Sequence, residues 1–251
     1  KNYDLIIYMA ANYGGLKYNI DNRLQMLFDN TSMNLNFFKF ISLTKPNRVI
    51  SIGSACSYPA TSNFMQEDKL LDGDCHSSIR EYGYSKRWAI MAHKTLQKEL
   101  NIQWDHICPA NMYGPYDIFD INRSHLVGAL IYKFINATNN VNLLGTGVAK
   151  RDVIYVEDVC EAIKLCIKKG PFNRVINIGS NDSMTVRNLA HKISNIINFK
   201  GNINWGDTSQ DGTLNKSLDC SKAKQLLNWT PKTKINEGLQ KTIEWYKQNN
   251  K

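Results

Sequence analysis

No apolar run in this sequence approaches the roughly 18 to 20 residues that a helix needs to cross a bilayer. The start of the chain, Lys1 to Asp4, also lacks the basic segment and the apolar segment that make up a signal peptide. Together these two absences predict a cytoplasmic protein with no membrane partner.

Disulfide and metal-binding patterns are absent as well. The cysteines form no CxxC pair and have no histidine-rich partner spacing. A chain of 251 residues can bury a normal core without disulfides. We therefore expect no metal site and mostly reduced, buried thiols at Cys56, Cys75, Cys108, Cys160, Cys166 and Cys220.

Clusters of positive charge are also missing, although the net charge is +9. The lysines are dispersed, they are not interleaved with aromatic residues, and no nucleic-acid-binding motif occurs. A nucleic-acid partner is therefore not expected. A phosphorylated small molecule is enough to account for an anionic partner of this basic chain.

Buried strands alternate with helices through the first half of the sequence. Apolar runs at 4–11, 48–54 and 102–108 predict strands, while 22–43 and about 82–100 predict helices. This alternation is typical of an α/β fold with a doubly wound parallel sheet. The predicted core contacts of the first helix are Leu24, Leu27, Phe28, Leu35, Phe38 and Ile41.

The second half alternates less regularly, which favours a smaller C-terminal lobe. Residues 145–147 form a glycine turn, and Asp158 is placed to cap a helix that ends near residue 168. The remaining predicted elements are strands at 151–156 and 175–178 and helices at 124–137, 186–197, 221–227 and 235–248.

The glycine-rich strand-loop-helix that opens a dinucleotide-binding fold is not in this sequence. In such folds the helix amides of that segment approach the pyrophosphate. Two explanations stay open: the chain is a fragment of a longer protein, or its affinity for a dinucleotide is low. The residue that selects NAD or NADP is missing with the segment.

Tyr82 and Lys86 are the most informative pair of residues, because a spacing of four places a phenol and an ammonium on one helix face. A nearby ammonium favours the phenolate, so such a pair can transfer a proton at neutral pH. The strand at 48–54 ends in small residues and brings Ser54 and Cys56 to the carboxyl edge of the sheet. A hydroxyl there can hold a substrate oxygen beside the tyrosine.

Several motifs, in this order and spacing, resemble the extended short-chain dehydrogenase/reductases, and most closely the GDP-L-fucose synthase family. They cover nearly the whole chain and lie at 4–15, 53–59, 82–86, 109–115, 124–125 and 151–158. The resemblance implies a Rossmann-like domain at 1–111 and 152–170, N-terminally incomplete, and a nucleotide-sugar lobe at 112–151 and 171–251. It also implies NADPH-dependent 3,5-epimerisation and 4-reduction of a GDP-4-keto-6-deoxyhexose, with NAD(H) not excluded.

The resemblance assigns roles to individual positions. Ser54, Tyr82 and Lys86 match the reductase triad, and Cys56 and His125 match the acid/base pair of epimerisation. In that pair a thiolate is expected to remove a proton and an imidazolium to return one. The implied cofactor contacts are Ala10, Ala11, Gly53, Ser54, Ala55, Tyr82, Lys86, Pro109, Ala110, Asn111, Met112 and His125. The implied substrate contacts are Ser54, Cys56, Tyr82, Asn111, His125, Lys133, Leu144, Arg151 and Asp211.

Some of these positions have other readings. Cys56 could be a structural thiol, His125 a core histidine, and Arg151 a surface residue paired with Asp152 or Glu157. An arginine that follows a glycine turn and precedes a buried strand also suits a diphosphate. We leave the histidines at 76, 93, 106 and 191 structural.

Two departures from the family pattern bear on the substrate. Lys133 stands where the family usually has arginine, and Leu144 stands where it has tryptophan. The alternatives are therefore a 4-reductase acting on a related GDP-keto-sugar, such as a dideoxyhexose or heptose, and a non-catalytic protein that binds a nucleotide-sugar or a partner. The resemblance also implies a homodimer formed by the helix of Tyr82 and the helix before it.

Overall fold

The computed structural model describes residues 3–211 and 213–249. Residues 1, 2, 212, 250 and 251, which fall inside the predicted domain ranges, lie outside the described residues. The described α-helices are α1 (Leu16–Asp21), α2 (Arg23–Thr44), α3 (Arg80–Leu100), α4 (Leu126–Asn136), α5 (Val156–Lys169), α6 (Val186–Ile197), α7 (Ser221–Leu227) and α8 (Ile235–Asn249). The described strands are β1 (Leu5–Tyr8), β2 (Arg48–Ile52), β3 (Phe64–Met65), β4 (Gln103–Pro109), β5 (Asn111–Tyr113), β6 (Asn140–Leu143), β7 (Lys150–Arg151), β8 (Val153–Tyr155), β9 (Arg174–Ile178), β10 (Met184–Thr185), β11 (Asn202–Trp205) and β12 (Asn215–Leu218).

The core of the fold is a parallel sheet with the strand order β1-β2-β4-β9. Helix α2 connects β1 to β2, and α3 connects β2 to β4. Strand β2 is buried along its whole length, as is typical of a parallel sheet covered on both faces. The predicted α/β fold with a parallel sheet is confirmed, and the carboxyl ends of its strands lie at one edge.

Short strands and three helices build a second layer beside this sheet. Strand β5 pairs with β8, β6 pairs with β11, and β10, β7, β12 and β3 form a small mixed sheet. Helices α4, α6 and α8 enclose an apolar core that includes Ile131, Leu189 and Leu239. Most of these short strands were not expected from the sequence, because each has only two to four residues.

The predicted division into a cofactor domain and a substrate lobe stays a prediction. Its boundary at residue 171 places β9 in the substrate lobe. This strand instead lies at the end of the parallel sheet, because its backbone pairs with β4 from Arg174 to Ile178.

Helix α2 turns a different face to the core than its apolar pattern predicted. Phe38 and Ile41 are buried as expected, but Leu24, Leu27, Phe28 and Leu35 are exposed. Met26, Asn30 and Asn34 are buried in their place. The asparagines are tolerated there because Asn34 accepts from the Tyr8 hydroxyl at 3.0 Å and donates to the Ser85 carbonyl at 2.8 Å.

The predicted cap of α5 is also wrong in its detail. The N-cap residue is Tyr155, and Asp158 lies in the first turn of the helix. The Asp158 carboxylate accepts from the backbone N–H groups of Lys232 and Thr233, at 3.0 and 3.1 Å. It therefore holds the segment before α8 against α5.

The thiols are free and mostly buried. Cys75, Cys108, Cys166 and Cys220 lie in the interior, Cys56 is half-buried and Cys160 is exposed. In the part of the chain that the structure describes, no helix is both long and apolar enough to cross a membrane.

A buried ion pair joins strands β2 and β4 to the end of α5 and to the loop that follows this helix. Arg48 of β2 contacts the carboxylate of Asp105 of β4 through two of its nitrogens. The same guanidinium donates to the Ile167 and Cys166 carbonyls at 3.0 and 2.8 Å. Asp105 also accepts from the Phe172 N–H at 2.8 Å, so both charges are fully bonded.

Replacing Asp105 with alanine should strongly destabilise the protein, because Arg48 would keep a buried charge with no carboxylate. We expect a loss of about 3 to 5 kcal/mol in the free energy of unfolding, measured by urea denaturation. The control is Asp21→Ala, which breaks the exposed Lys17–Asp21 pair and should cost about 1 kcal/mol or less. Equal small losses in both variants would contradict this account of the pair.

Candidate active site

Tyr82 and Lys86 lie near the start of α3, where the helix passes the carboxyl end of β2. The Lys86 ammonium donates to the Ile52 carbonyl at 3.0 Å and lies 5.6 Å from the centre of the Tyr82 ring. Gly83 lets the helix come this close, since a Cβ there would be only 2.5 Å from the Cys56 carbonyl oxygen. Lys86 is 5% exposed, and this burial lowers its pKa to about 8.

Ser54 follows β2 in an extended conformation and begins a short turn of 3₁₀-helix, Ala55–Ser57. Its hydroxyl accepts from the Cys56 N–H at 3.1 Å. Burial raises the pKa of the half-buried Tyr82, the Cys56 thiol adds to the rise, and the hydrogen bond with Ser54 opposes it. The expected lowering of this pKa by Lys86 is therefore not found, and Tyr82 is a protonated phenol at neutral pH.

His125 immediately precedes α4, and its ring stacks on Tyr13 at a centroid distance of 5.2 Å. Burial lowers the pKa of His125 to about 4, and the charge of Lys216 acts in the same direction. The ring is therefore neutral at pH 7, whereas the sequence suggested an imidazolium. His125 and the half-buried Cys56 line the same cleft.

This cleft, of about 290 Å³, lies between the carboxyl edge of the sheet and the second layer. Among the predicted substrate contacts, Ser54 does not line it. The predicted residues that do line it are Cys56, Tyr82, Asn111, His125, Lys133, Leu144, Arg151 and Asp211. A larger cleft of about 590 Å³, between β8 and the segment before α8, contains none of the predicted site residues.

Positive charge gathers in the lining of the cleft. Arg151 donates to the carbonyls of Thr213 and Asp211 at 2.7 and 3.2 Å, and pairs with neither Asp152 nor Glu157. Lys216 stands directly opposite Arg151 in the pairing of β12 with β7. We did not predict Lys216, because only this pairing, between strands 65 residues apart, brings it to the site.

Asp211 supports the glycine turn rather than presenting its carboxylate to the cleft. Its two oxygens accept from the N–H and the hydroxyl of Thr146, at 2.7 and 2.8 Å. Gly145 and Gly147 on either side have φ values of 71° and 78°, which confirms the predicted turn. A direct substrate contact by the Asp211 side chain would compete with these bonds.

The predicted cofactor contacts occupy the carboxyl edge of the sheet. Ala10 and Ala11 follow β1, and Gly53, Ser54 and Ala55 follow β2. At the end of β4 lie Pro109 and Ala110, with Asn111 and Met112 in β5. Apart from Asn111, these residues do not line the cleft beside Tyr82. They sit on the strand ends where open α/β sheets bind their ligands.

Known proteins resemble the chain in sequence and in fold. The model of the NAD dependent epimerase/dehydratase family matches residues 1–179. GDP-L-fucose synthase 1 of Arabidopsis thaliana is 30% identical over 97% of this chain and 77% of the relative. GDP-L-fucose synthase of Sinorhizobium fredii is 30% identical over 97% and 79%.

Two solved structures show the likeness in fold. One is a GDP-6-OMe-4-keto-L-xylo-heptose reductase from C. jejuni, with a TM-score of 0.90 and 21% identity over 98% of this chain and 83% of that one. The other is a GDP-L-fucose synthetase from Naegleria fowleri bound to NADP, with a TM-score of 0.85 and 24% identity over 98% and 77%.

The charge of Lys86 should be lost at unusually low pH. Only the neutral amine reacts with amine reagents, so the labelling rate of Lys86 in the folded protein should reach half its maximum near pH 8. Mass spectrometry of the labelled peptide measures this rate.

Two controls make the lysine titration specific. The exposed Lys94 on the same helix corrects the labelling rate for the reactivity of the reagent. In urea, the labelling midpoint of Lys86 should return to about pH 10.4. A midpoint above pH 10 in the folded protein would show that burial does not lower this pKa.

Proposed function

The chain belongs to the NAD dependent epimerase/dehydratase family, and from that membership we propose that it epimerises and reduces a GDP-linked 4-keto-6-deoxyhexose. It is an NADP(H)-dependent oxidoreductase, as the relatives and the fold indicate. The observation that carries the finer proposal is that one cleft is lined by Tyr82, a reductase residue, and by Cys56 and His125, which suit epimerisation.

The residues at the tip of β2 fit a nicotinamide ribose. The Lys86 ammonium has three N–H donors, and in the described residues its only hydrogen-bond acceptor is the Ile52 carbonyl. Two donors are therefore left for ribose hydroxyls. Reduced NADP supplies the hydride when it is bound.

Tyr82 and Ser54 suit the carbonyl end of the reduction. The raised pKa of Tyr82 keeps its phenol protonated, so the side chain can give a proton to the oxygen that becomes the C4 hydroxyl. Ser54, hydrogen-bonded to Tyr82, can hold the same oxygen while negative charge develops on it.

Cys56 and His125 suit proton exchange beside the ketone. A proton on a carbon next to a carbonyl is acidic because the enolate spreads the charge, and inversion needs one group to remove it and another to return one. The neutral His125 ring can accept a proton, and the Cys56 thiol can donate one.

Arg151, Lys216 and Lys133 suit the diphosphate of a nucleotide-sugar. All three line the same cleft as Tyr82. Arg151 donates to backbone carbonyls and, in the described residues, no salt bridge ties it to a carboxylate, although Asp211 lies near enough to act on its charge. Its guanidinium therefore suits an anion. Lys133 is held at 2.8 Å by the Asn142 carbonyl.

A second candidate is a 4-reductase without epimerase activity, acting on a related GDP-keto-sugar such as a dideoxyhexose or heptose. It is favoured by Leu144, a 56% exposed apolar side chain at the cleft where an aromatic ring was expected. In that case Cys56 and His125 would line the cleft without transferring protons.

The direct test is to incubate the protein with GDP-4-keto-6-deoxymannose and NADPH in deuterated water. The proposal predicts loss of NADPH absorbance together with deuterium at C3 and C5 of the sugar, read by mass spectrometry. Oxidation of NADPH without deuterium uptake would favour the 4-reductase. If neither occurs, this sugar is not the substrate.

Two substitutions should separate the two half-reactions. Tyr82→Phe should slow NADPH oxidation by about 10² to 10⁴-fold, because the proton donor is lost, while deuterium uptake continues. Cys56→Ser should reduce deuterium uptake, while NADPH oxidation continues. Cys160→Ser, at an exposed thiol, is the matched control. Equal loss of both activities in both variants would contradict separate roles.

We also propose that the chain forms a homodimer through α2 and α3, which pack side by side. On α2, Leu24, Phe28 and Leu35 are exposed, and on α3 Met91 is 56% exposed. An apolar surface of this kind on a monomer usually marks an interaction site. A second copy would cover it with its own pair of helices.

Light scattering tests the dimer. The native protein should have the mass of two chains, and Phe28→Glu should halve it, because a carboxylate would be buried in the interface. Phe64→Glu, at an exposed aromatic residue on β3, should leave the mass unchanged. A native mass of one chain would overturn the proposal.

A further inference from the structure

Three buried polar side chains form a hydrogen-bonded array beneath the tip of β2. Ser51 of β2 lies 2.7 Å from Nε2 of His93 on α3 and 2.7 Å from Nδ1 of His106 on β4. All three residues are at most 1% exposed, and none lines the cleft. We name Ser51, His93 and His106 the histidine array.

Both rings of the histidine array are neutral. Burial lowers the pKa of His93 to about 3, and it lowers the pKa of His106 well below its ordinary value. A neutral imidazole carries one N–H, and the Ser51 hydroxyl has one proton to donate. The hydroxyl must therefore donate to one ring and accept from the other.

Only two proton arrangements satisfy both bonds. In the first, His106 donates from Nδ1 to Ser51, Ser51 donates to His93, and Nε2 of His106 is a lone pair. In the second, His93 donates to Ser51, Ser51 donates to Nδ1 of His106, and Nε2 of His106 carries the proton. The array thus couples the tautomer of His106 to that of His93 through the Ser51 hydroxyl.

Nε2 of His106 points at the segment that also binds Lys86. It is buried and, in the part of the chain that the structure describes, has no hydrogen-bond partner. A Cβ at Gly53 would lie 2.3 Å from it, so the ring rests directly against that glycine. The ammonium of Lys86 donates to the carbonyl of Ile52, the residue before Gly53. The positive charge of Lys86 also lowers the pKa of His106.

We propose that the histidine array positions Lys86 by holding His106 with its proton on Nδ1, so that the lone pair of Nε2 lies on the side of the ammonium. A lone pair stabilises a nearby positive charge, while an N–H pointing the same way destabilises it. The ring also supports Gly53 from below, and with it the position of Ser54. This role rests on the proposed function, in which Lys86 acts beside Tyr82.

In the described residues, the following groups lie against Lys86. Tyr82 lies on its own helix, the Ile52 carbonyl on β2, and His106 and the buried Cys108 thiol on β4. No carboxylate is among these groups. A change in the lone pair of His106 should therefore be visible in the titration of Lys86.

Nitrogen-15 NMR of histidine-labelled protein tests the tautomer, because the ring shifts report which nitrogen carries the proton. The proposal predicts Nδ1–H for His106 in the native protein. It predicts a shift toward Nε2–H in Ser51→Ala, where the hydroxyl that fixes the tautomer is gone. A native His106 protonated on Nε2, or on both nitrogens, would overturn it.

The labelling of Lys86 against pH tests the effect on the ammonium. Ser51→Ala and His106→Asn should lower the midpoint by about one pH unit, because the lone pair is lost or reversed. In His106→Gln the side-chain amide reaches the position of Nε2. The midpoint should therefore return most of the way to its native value. His191→Gln, at an exposed histidine, is the control and should leave the midpoint unchanged.

An unchanged midpoint in a folded Ser51→Ala variant would overturn the proposal, whatever its thermal stability. If the His106 variants do not fold, Ser51→Ala and the native tautomer still decide. Neither measurement needs substrate or cofactor. The proposal can therefore fail while the protein reduces a keto-sugar, or hold while the proposed substrate is wrong.

Discussion

The buried ammonium of Lys86 is the interaction on which the candidate site depends. It is taken out of water with a backbone carbonyl as its hydrogen-bond acceptor in the described residues, at 3.0 Å from Ile52. An isolated buried charge is costly, so this bond holds the start of α3 against the end of β2. Tyr82 follows from it, because a residue four positions earlier lies on the same helix face.

Burial acts on each acid/base group of the site in the direction that removes charge. It raises the pKa of Tyr82, lowers that of Lys86 to about 8 and lowers that of His125 to about 4. Tyr82 and His125, which line the cleft, are thus neutral at pH 7 and can give or accept a proton. Arg151 and Lys216 add positive charge to the lining of the same cleft.

The sequence was sufficient where function depends on local spacing. Tyr82 and Lys86 share one helix and Ser54 follows the buried strand β2, because helix periodicity and the end of that strand determine their positions. It was insufficient where distant segments meet. The pairing of β12 with β7 brings Lys216 opposite Arg151, and the Ser51–His93–His106 bonds join two strands and a helix. The buried face of helix α2 was predicted wrongly, because the asparagines that face the core are polar. Only tertiary hydrogen bonds explain their burial.

Transfer of a deuteride tests the central claim, that the group around Tyr82 carries out the reduction. In a single turnover with C4-deuterated NADPH and the keto-sugar in ordinary water, mass spectrometry of the product should find one deuterium at C4 of the sugar. The same label should be nearly absent with Tyr82→Phe. Full transfer in the Tyr82→Phe variant would contradict the account, because the proton would then come from a group other than this phenol.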